Sequence, residues 1–486
     1  MSTINTKFFS PAQLKSIREA VNGEPGGEFK IASAAPSALK NLPKVDDGMQ
    51  DVLILAPGND IFKSEVDLSE SLQAKGVKIG QDFDEMGATA RLSPEKVAEL
   101  KESGYQVFDN SPRPMWGLPA APSVLNSATG DYSMPEVKPI EWLKADQVHQ
   151  AGRTGKGQTV AVLDSGFDHP AFQLADWKDV VDNSPTPVDR VGHGTHVAHD
   201  VLQAAPDANI VAVKVMGDDG SGRPSDIIAG IKYVLEQNAK GADIDVINMS
   251  LGGPPDGYPD ELHPINRAVK AATEAGITVV AAAGNSGPGG NTIGSPAEAA
   301  ESIAVGATLN PTTVSEFSSR GPTEGGLIKP DVMAPGEYIA AWSVPGSEME
   351  QTAQAVETLR KMPAPMLKQI LEQNPGLAEG LGLPPEVISL PAEQIEKLVK
   401  PNLPPTYIPE PGLLAAPGTS FAAPLVAGVL ATLEEEHDIS PEASMALLRG
   451  TADNMGQPGT VQGQGFVDAK EALDVLRQAK EGAGAA

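Results

Sequence analysis

The sequence predicts an α/β fold, in which a mostly parallel sheet is covered by helices on both faces and is preceded by a small α+β unit. From residue 139 onward, short apolar runs of strand length alternate with segments whose apolar residues recur at helical spacing. Before residue 112, strand and helix signals alternate over a much shorter stretch. Long strand–helix alternation is typical of a parallel sheet between two layers of helices.

Composition limits the class of protein. The chain has 486 residues, of which 40% are hydrophobic, with 36 Lys and Arg, 64 Asp and Glu, and no Cys. The hydrophobic fraction suffices for a large core and excludes a chain disordered throughout. The absence of Cys excludes a disulfide scaffold, a thiolate zinc site and a Cys nucleophile. The net charge of −28 argues against nucleic acid as a partner.

Shifts in composition and clusters of proline divide the chain into segments. At roughly 150 residues per domain, its length suggests two to four domains. We predict an N-terminal extension over 1–48, a small α+β domain over 49–112, a proline-rich linker over 113–138, a large α/β domain over 139–475 with an insertion at 346–411, and a C-terminal tail over 476–486.

The small domain has the signals of a ferredoxin-like arrangement of split β-α-β units. Ser93 and Pro94 are typical of the start of a helix. The prolines of the linker predict that 113–138 lacks regular structure. In this domain, strands are predicted at 51–55, 87–92 and 105–108, and helices at 66–74 and 94–104.

The large domain has five apolar runs that predict buried strands. The insertion at 346–411 interrupts the pattern with many prolines and has two helical pieces, near 350–361 and 392–400. The predicted strands of the large domain are 159–163, 210–215, 246–249, 277–283 and 303–305, and its predicted helices are 226–238, 262–275, 420–435 and 441–451.

Three short motifs carry candidate catalytic side chains. An apolar strand ends in Asp164-Ser-Gly, which places a carboxylate at the carboxyl edge of a parallel sheet. The second motif is Gly-His193-Gly-Thr-His-Val-Ala. In the third, Gly-Thr-Ser420-Phe-Ala-Ala-Pro, Ser420 begins an apolar helix whose amide groups favour a developing negative charge. Pro424 lacks the amide hydrogen that would bond the Ser420 carbonyl.

Each motif alone has a simpler explanation. Asp164 could cap a helix or a turn, Ser420 could be an ordinary N-cap residue, and the histidines could be structural. Zinc bound by His193, His196 and His199 is disfavoured, because these positions spread over an arc of about 120° on a helix. Taken together, however, Asp, His and Ser at one sheet edge follow one of the three known chain orders of the catalytic triad.

These motifs resemble the active-site signatures of the subtilisin-like serine peptidases, the subtilases. Segments 246–253, 282–287 and 330–336 resemble further motifs of that family, and the resemblance covers about 139–345 and 412–475. It implies a subtilisin-like three-layer sandwich for the large domain, behind the ferredoxin-like domain. It also implies the activity of a serine endopeptidase.

The resemblance implies catalytic roles for four residues. Ser420 is the implied nucleophile, His193 the base that takes its proton and returns it to the leaving amine, and Asp164 the residue that orients His193. Asn285 and the main-chain amide of Ser420 are the implied oxyanion hole. An Asn side chain suits this role because its amide donates hydrogen bonds without titrating.

Substrate-binding residues are also implied by the resemblance. Two edge segments would hold an extended peptide through main-chain hydrogen bonds, which glycines permit by close approach. Gly294 falls at the floor of the primary specificity pocket, so we expect a roomy pocket, a preference for large apolar P1 residues and otherwise broad specificity. The implied residues are Gly220, Ser221, Gly222, Ser250, Leu251, Gly252, Ala283, Gly284 and Gly294.

The chain departs from the family pattern in three places. Between His193 and the strand at 210 it is too short for the loop that holds a tight calcium ion in many subtilases, so we expect that site to be missing. No cofactor is expected to be required, although calcium at other sites stays open. His199 and Asp200 stand where a small residue is usual. The insertion at 346–411 is either a lid or docking arm near the cleft or a passive surface excursion.

The small domain resembles the inhibitory propeptide of the family, chiefly in 86–93 and the helix that follows. The resemblance implies a self-processing zymogen in which the N-terminal domain is an intramolecular inhibitor and cleavage falls within 113–138. A retained binding domain is the alternative to a propeptide.

Expected partners are protein or peptide substrates. The main alternative function is a catalytically inactive binding module on a subtilase fold, which the intact triad and Asn285 disfavour. An α/β-hydrolase esterase is disfavoured because no Gly-x-Ser-x-Gly motif is present. No apolar run has the length of a transmembrane helix or a signal peptide, so we expect no membrane partner and favour the cytoplasm, with secretion by another route as the alternative.

Overall fold

The computed structural model describes residues 48–56, 67–115 and 136–484. Nearly all of the predicted N-terminal extension 1–48 and residues 116–135 of the predicted linker lie outside the described residues. In the described part of the chain, no helix combines the length and apolar character needed to cross a membrane.

The small domain is a four-stranded antiparallel sheet in the order β2-β3-β1-β4. The sequence analysis missed β2, because this strand is mostly exposed and has no apolar alternation. Ser93 caps the second helix as expected, since its hydroxyl accepts a hydrogen bond from Lys96 N at 3.3 Å. The elements are β1 (Gln50–Leu55), α1 (Leu68–Ala74), β2 (Ile79–Asp82), β3 (Ala88–Leu92), α2 (Pro94–Glu102) and β4 (Gln106–Asp109).

Strand β1 is buried on both faces, which explains its continuous apolar sequence. Val52 and Ile54 pack in the core of the small domain. Leu53 and Leu55, which point to the other face, pack in a cluster that belongs to the large domain. The small domain is therefore docked on the large domain through its sheet.

The predicted linker contains regular structure at its start. Strand β5 (Arg113–Pro114) pairs antiparallel with β9 (Ser221–Gly222) of the large domain. Met115 extends the pairing by donating its amide to Gly220 O at 3.2 Å. The expectation that the prolines prevent regular structure is therefore wrong here, because an edge strand tolerates a residue without an amide hydrogen.

The large domain is built on a mostly parallel sheet in the order β13-β12-β11-β10-β6-β8-β7, with β14 also paired to β12. Only β13 runs antiparallel to its neighbour. All five predicted strands are present, while β7, β13 and β14 were missed. The strands are β6 (Thr159–Asp164), β7 (Asp176–Asp179), β8 (Asn209–Lys214), β10 (Val246–Met249), β11 (Thr278–Ala282), β12 (Ile303–Asn310), β13 (Thr313–Val314) and β14 (Val332–Pro335).

Helices cover both faces of this sheet, which gives the predicted three layers. Along β6, Val160 and Val162 face one apolar cluster, whereas Ala161 and Leu163 face the other. The helices are α3 (Pro139–Trp142), α4 (Ala145–Gln150), α5 (His193–Ala204), α6 (Pro224–Ala239) and α7 (Pro264–Glu274) before the insertion, and α12 (Thr419–Glu434), α13 (Pro441–Thr451), α14 (Gly459–Gln462) and α15 (Ala469–Gly484) after it.

The insertion is a helical subdomain with its own apolar core. It is carried by a two-stranded ribbon, β15 (Ile339–Trp342) and β16 (Leu413–Ala416). Two of its helices were missed because their prolines, such as Pro365 and Pro375, lie in first turns, where proline is tolerated. Its helices are α8 (Glu348–Lys361), α9 (Ala364–Gln373), α10 (Pro375–Gly380) and α11 (Ala392–Val399).

The predicted C-terminal tail begins inside a packed helix. Leu476 joins the main apolar cluster, and Arg477 donates to Glu436 Oε2 at 2.9 Å. The boundary at 475 is therefore wrong, because these contacts continue the large domain along α15.

Candidate active site

Asp164 ends strand β6 at the carboxyl edge of the sheet and is buried. Its Oδ1 accepts hydrogen bonds from His193 Nδ1 and from Ser165 N, each at 2.7 Å. The two elements meet closely because position 194 is glycine, where an added Cβ would lie 2.3 Å from Gly166 O. The first turn of α5 can therefore bring His193 against the carboxylate.

The hydrogen bond to Asp164 sets both the tautomer and the pKa of His193. Because Asp164 can only accept when ionised, the proton of the neutral ring is on Nδ1, and Nε2 is the nitrogen that can take another. Burial lowers the pKa of His193, but the charge and hydrogen bond of Asp164 outweigh it, with further help from the charges of Asp189 and Asp200. The pKa of His193 consequently lies above its ordinary value of 6.5.

Asp189 anchors the turn that carries His193, and the sequence analysis missed it. This buried carboxylate accepts from Ser165 Oγ (2.9 Å), Gly192 N (2.7 Å), Thr195 N (2.9 Å) and Thr195 Oγ1 (2.7 Å). It satisfies amide groups at the start of α5 that have no partner within the helix. The only feature of the sequence that points to Asp189 is its position four residues before His193.

Ser420 is buried at the start of α12, and the next residue links it to the histidine. The Phe421 ring packs on the His193 ring, with 5.4 Å between centroids. The Ser420 carbonyl, which Pro424 deprives of its helical donor, accepts from Ser250 Oγ at 2.6 Å instead. Ser250 therefore joins the segment after β10 to the nucleophile turn.

Asn285 is held by Thr419, the residue before Ser420. Its Oδ1 accepts from Thr419 N and Thr419 Oγ1, each at 3.0 Å. A main-chain amide can only donate, so this contact assigns the acceptor end of the Asn285 side chain and leaves Nδ2 as the end that faces away. Thr419 was not predicted, although it stands inside the Gly-Thr-Ser motif.

The implied substrate-edge residues divide into two groups. Gly220, Ser221 and Gly222 form the edge that pairs with β5. On the other side, Leu251 is wholly buried in an apolar cluster, so only its main chain is suited to contact a peptide. Gly252 follows it in the same buried segment.

Ala283 and Gly284 shape the wall beside Asn285. The amide of Ala283 donates to Val305 O at 2.9 Å, and the amide of Gly284 donates to Thr419 Oγ1 at 3.1 Å. Both donors are thus engaged within the protein.

Gly294 does not open a pocket in the direction of a side chain. An added Cβ at this position would lie 2.2 Å from Gly253 O and 2.9 Å from the main chain of Pro254. Main chain from the opposite segment fills the space that a side chain at this position would need, and the roomy specificity pocket stays a prediction.

The other two histidines of α5 have separate surroundings. His196 Nδ1 contacts Asp200 Oδ2 at 2.9 Å, while its Nε2 lies 3.2 Å from Ile339 O and 3.0 Å from Leu414 O. The ring of His199 stacks on Trp342 at 4.2 Å. Burial, aided by the charges of His196 and His169, lowers the pKa of His199 to about 3. These histidines do not converge with His193, and Asp200 acts as the partner of His196.

The connection from α5 to β8 is short and contains one carboxylate. It is a tight turn in which Ala208 N donates to Ala205 O at 3.1 Å. Its one carboxylate, Asp207, accepts from Thr154 Oγ1 at 2.6 Å. Calcium needs six to eight oxygen ligands. Across the described ranges, no group of three or more His, Asp and Glu residues is arranged to hold a metal ion.

A parallel sheet with an Asp–His pair at its carboxyl edge, next to a helix whose first turn contains a serine, has the layout of an α/β enzyme whose site is built from several loops. The family model of the subtilase family (Peptidase S8) matches residues 155–467. The chain belongs to the subtilase family, a family of serine endopeptidases.

Curated relatives agree with this assignment. The chain is 38% identical over 260 residues to the serine protease AprX of Bacillus subtilis (strain 168), which covers 46% of this chain and 59% of AprX. It is 34% identical over 290 residues to subtilisin E of the same organism, covering 57% of this chain and 68% of subtilisin E. It is 38% identical over 218 residues to subtilisin Savinase of Lederbergia lenta, which covers 43% of this chain and 74% of subtilisin Savinase. The chain thus spans less than two thirds of AprX.

Proposed function

We propose that this chain is a serine endopeptidase that hydrolyses peptide bonds through an acyl-enzyme, with Asp164, His193 and Ser420 as its catalytic triad. The observation that carries the proposal is the 2.7 Å hydrogen bond between His193 Nδ1 and Asp164 Oδ1. This hydrogen bond lies beside the turn that carries Ser420. The Phe421 ring in that turn packs against the His193 ring. This bond directs the proton-accepting Nε2 away from the carboxylate, as the base of a triad requires.

The proposed reaction has two steps of the same kind. Ser420 Oγ attacks the peptide carbonyl carbon while His193 Nε2 takes the hydroxyl proton, and Asp164 stabilises the imidazolium that forms. His193 then gives this proton to the leaving amine as the C–N bond breaks. In the second step, water loses a proton to His193 and attacks the acyl group, and Ser420 Oγ recovers the proton as it leaves.

Asn285 and the main-chain amide of Ser420 would stabilise the oxyanion of each tetrahedral intermediate. The support is the fixed orientation of Asn285, whose acceptor end is bonded twice to Thr419. A donor oriented before the reaction stabilises developing charge without reorganisation. In a subtilisin, loss of the oxyanion-hole Asn lowers kcat by about 10²–10³-fold, and we expect a loss of the same order for Asn285.

We propose broad specificity, because the substrate edge offers mainly main-chain groups and glycines. The preference for large apolar P1 residues rests on the family resemblance. A library of fluorogenic peptides that differ only at P1 measures it, and higher kcat/KM for Arg or Lys than for Leu and Phe would contradict it.

The small domain is proposed to be an intramolecular inhibitor that is removed by self-processing. In support, β5 pairs with the substrate edge β9. Asn110 and Ser225 exchange two hydrogen bonds of 3.0 Å, and Lys232 Nζ lies 2.6 Å from Asp84 Oδ2. These contacts dock the small domain on helix α6, beside the proposed substrate edge β9.

Intact-mass analysis of the wild type and of Ser420→Ala, each with and without a fluorophosphonate probe, tests the proposed function. We expect the wild type to take the label and to lose about 12–15 kDa from its N-terminus, or roughly 113–138 residues. Ser420→Ala should stay full length and unlabelled.

Other outcomes separate the parts of this proposal. A labelled wild type that stays full length keeps the peptidase and refutes the zymogen. A wild type that stays unlabelled after limited proteolysis of its first 138 residues refutes the peptidase and favours a catalytically inactive binding module on the same fold.

A further inference from the structure

One basic side chain of the chain lies beside the proposed substrate edge β9. Strand β5 pairs with β9 as an extended substrate would, and Arg113 is the residue opposite Gly222. Its Nη1 lies 3.1 Å from Asp256 Oδ2. Arg113 also contacts its own strand, since Nη2 donates to Asp109 O at 3.3 Å and lies 3.7 Å from Asp109 Oδ2. Asp256 is thus the group of the large domain that binds this guanidinium.

Asp256 belongs to the segment after β10 that contains the second group of implied substrate residues. It follows Ser250, Leu251 and Gly252 by four to six residues, and its side chain is 20% exposed. The carboxylate therefore lies partly within the protein and partly open to a bound peptide. Pairs with this degree of shielding are stronger than fully exposed pairs, because water screens them less.

The buried ring of His263 contacts the carboxylate of Asp256 and orients it. Ile265 N donates to His263 Nδ1 at 3.3 Å, so in the neutral ring the proton is on Nε2. That nitrogen lies 3.4 Å from Asp256 Oδ2, and the ring is buried. Burial raises the pKa of Asp256, but His263 and Arg113 lower it more, so the pKa lies below its ordinary value. The carboxylate is therefore oriented and ionised at neutral pH.

We propose that Asp256, positioned by His263, is a specificity-determining residue that selects Arg or Lys at the substrate position opposite Gly222. This inference rests on the proposed function, because it takes Gly220–Gly222 as the edge that binds substrate. It concerns the substrate residue that would pair with Gly222, and it is independent of the proposed P1 preference. The guanidinium of Arg suits the site because it offers several donors to one carboxylate.

The overall charge of the chain makes a matched control necessary. With a net charge of −28, the protein attracts any cationic peptide to some degree. Glu261, which is exposed and five residues from Asp256, provides the control. Glu261→Gln removes the same charge from the same region without touching the proposed subsite.

Inhibition by product-like peptides tests the inference. The peptides copy residues 109–116, with Arg, Gln or Glu at the place of Arg113, and compete against hydrolysis of fluorescently labelled casein. We expect the inhibition constant of the wild type to be about 3- to 10-fold lower for the Arg peptide than for the Gln peptide, as for a partly shielded ion pair. Asp256→Asn should abolish this difference, Glu261→Gln should retain it, and Asp256→Lys should make the Glu peptide the best inhibitor.

The results that would overturn the subsite differ from the result that would refute the proposed function. Equal inhibition of the wild type by the Arg and Gln peptides, or a preference that survives Asp256→Asn, would overturn the subsite while casein hydrolysis keeps the peptidase. Inhibition by none of the peptides would show that this segment does not occupy the cleft and would also overturn the subsite. A wild type that leaves casein intact would refute the proposed function itself.

Discussion

Helix α5 carries the histidines of two histidine–aspartate pairs, one turn apart, whose surroundings differ. In the first, His193 Nδ1 and Asp164 Oδ1 are 2.7 Å apart, and the histidine side chain is 12% exposed at the cleft. In the second, His196 Nδ1 and Asp200 Oδ2 are 2.9 Å apart, and the histidine side chain is 1% exposed. Asp164 comes from a strand, whereas Asp200 comes from the same helix as its histidine.

The decisive difference is what the second ring nitrogen faces. His196 Nε2 faces the carbonyl oxygens of Ile339 and Leu414, one from each strand of the ribbon that carries the insertion. Both nitrogens of His196 therefore face acceptors, and the pair is satisfied only if it keeps an additional proton. Burial raises the pKa of Asp200 despite the charge of His196, which agrees with a pair that retains its proton. The same two residue types thus serve as a proposed proton relay in one place and as a structural tie in the other.

The largest expected effect is a loss of kcat when the first His–Asp pair is broken. Asp164→Asn should reduce kcat on the order of 10⁴-fold, because an amide no longer selects the reactive tautomer or stabilises the imidazolium. Steady-state hydrolysis of a fluorogenic peptide, corrected for correctly folded protein, measures this loss. Asp168→Asn, an exposed change in the same loop, is the control and should retain full activity. A loss below tenfold in Asp164→Asn would remove the functional distinction between the pairs.

The second effect separates the pairs by stability. Asp200→Ala should lower the free energy of unfolding by about 3–5 kcal/mol, because it leaves a buried charge without its partner. Chemical denaturation in a Ser420→Ala background, which avoids self-digestion, measures the change. Asp200→Asn should cost less, since it keeps an acceptor for His196.

The matching activity measurement uses Asp200→Ala with Ser420 intact. Below the unfolding transition, kcat should stay within roughly threefold of the wild type, because Asp200 lies behind the site. A loss of 10³-fold or more in folded protein would show instead that the buried pair takes part in catalysis.

The smallest expected effect is a shift in pH dependence. Because Asp164 raises the pKa of His193, kcat/KM should rise with pH around a midpoint above 6.5. Asp200→Asn should lower this midpoint only slightly, since Asp200 contributes less than Asp164 to the raised pKa. Initial rates from pH 5 to pH 10 at low substrate concentration measure both midpoints. A wild-type midpoint below 6.5 would contradict the raised pKa.

Stability should change in the opposite direction over the same pH range. A histidine whose pKa is raised by folding stabilises the folded state fully below its unfolded value, near 6.5. This contribution is lost as the pH rises through the folded pKa of His193. Denaturation of the Ser420→Ala variant at several pH values tests this sign.

Strong apolar runs made the central sheet predictable, and weak ones did not. Segment 246–249 was predicted to the residue, because all four side chains of β10 are buried. Strand β2 was missed because its exposed residues show no pattern. Prolines caused both a strand and a helix to be missed. Pro114 lies in a strand and Pro375 in the first turn of a helix, since both positions can do without an amide hydrogen.

The motifs identified the candidate catalytic residues but not the residues that position them. Asp189 and Thr419 each make several hydrogen bonds within the site. Asp189 has no sequence signal beyond its place four residues before His193, whereas Thr419 stands inside the Gly-Thr-Ser motif but nothing local shows that it would bind Asn285. Asp256 is similar, because its partners Arg113 and His263 become neighbours only when the chain folds.

The sequence by itself determined the α/β class, the family and the residues proposed for catalysis, because these depend on local runs and short motifs. Tertiary structure decided which of two His–Asp pairs faces the cleft and which is buried. It also decided that Gly294 meets main chain rather than open space, and that Arg113 lies opposite Gly222. Each of these outcomes depends on groups far apart in the chain, and their distances are fixed only when the sheet, the ribbon and the small domain have packed together.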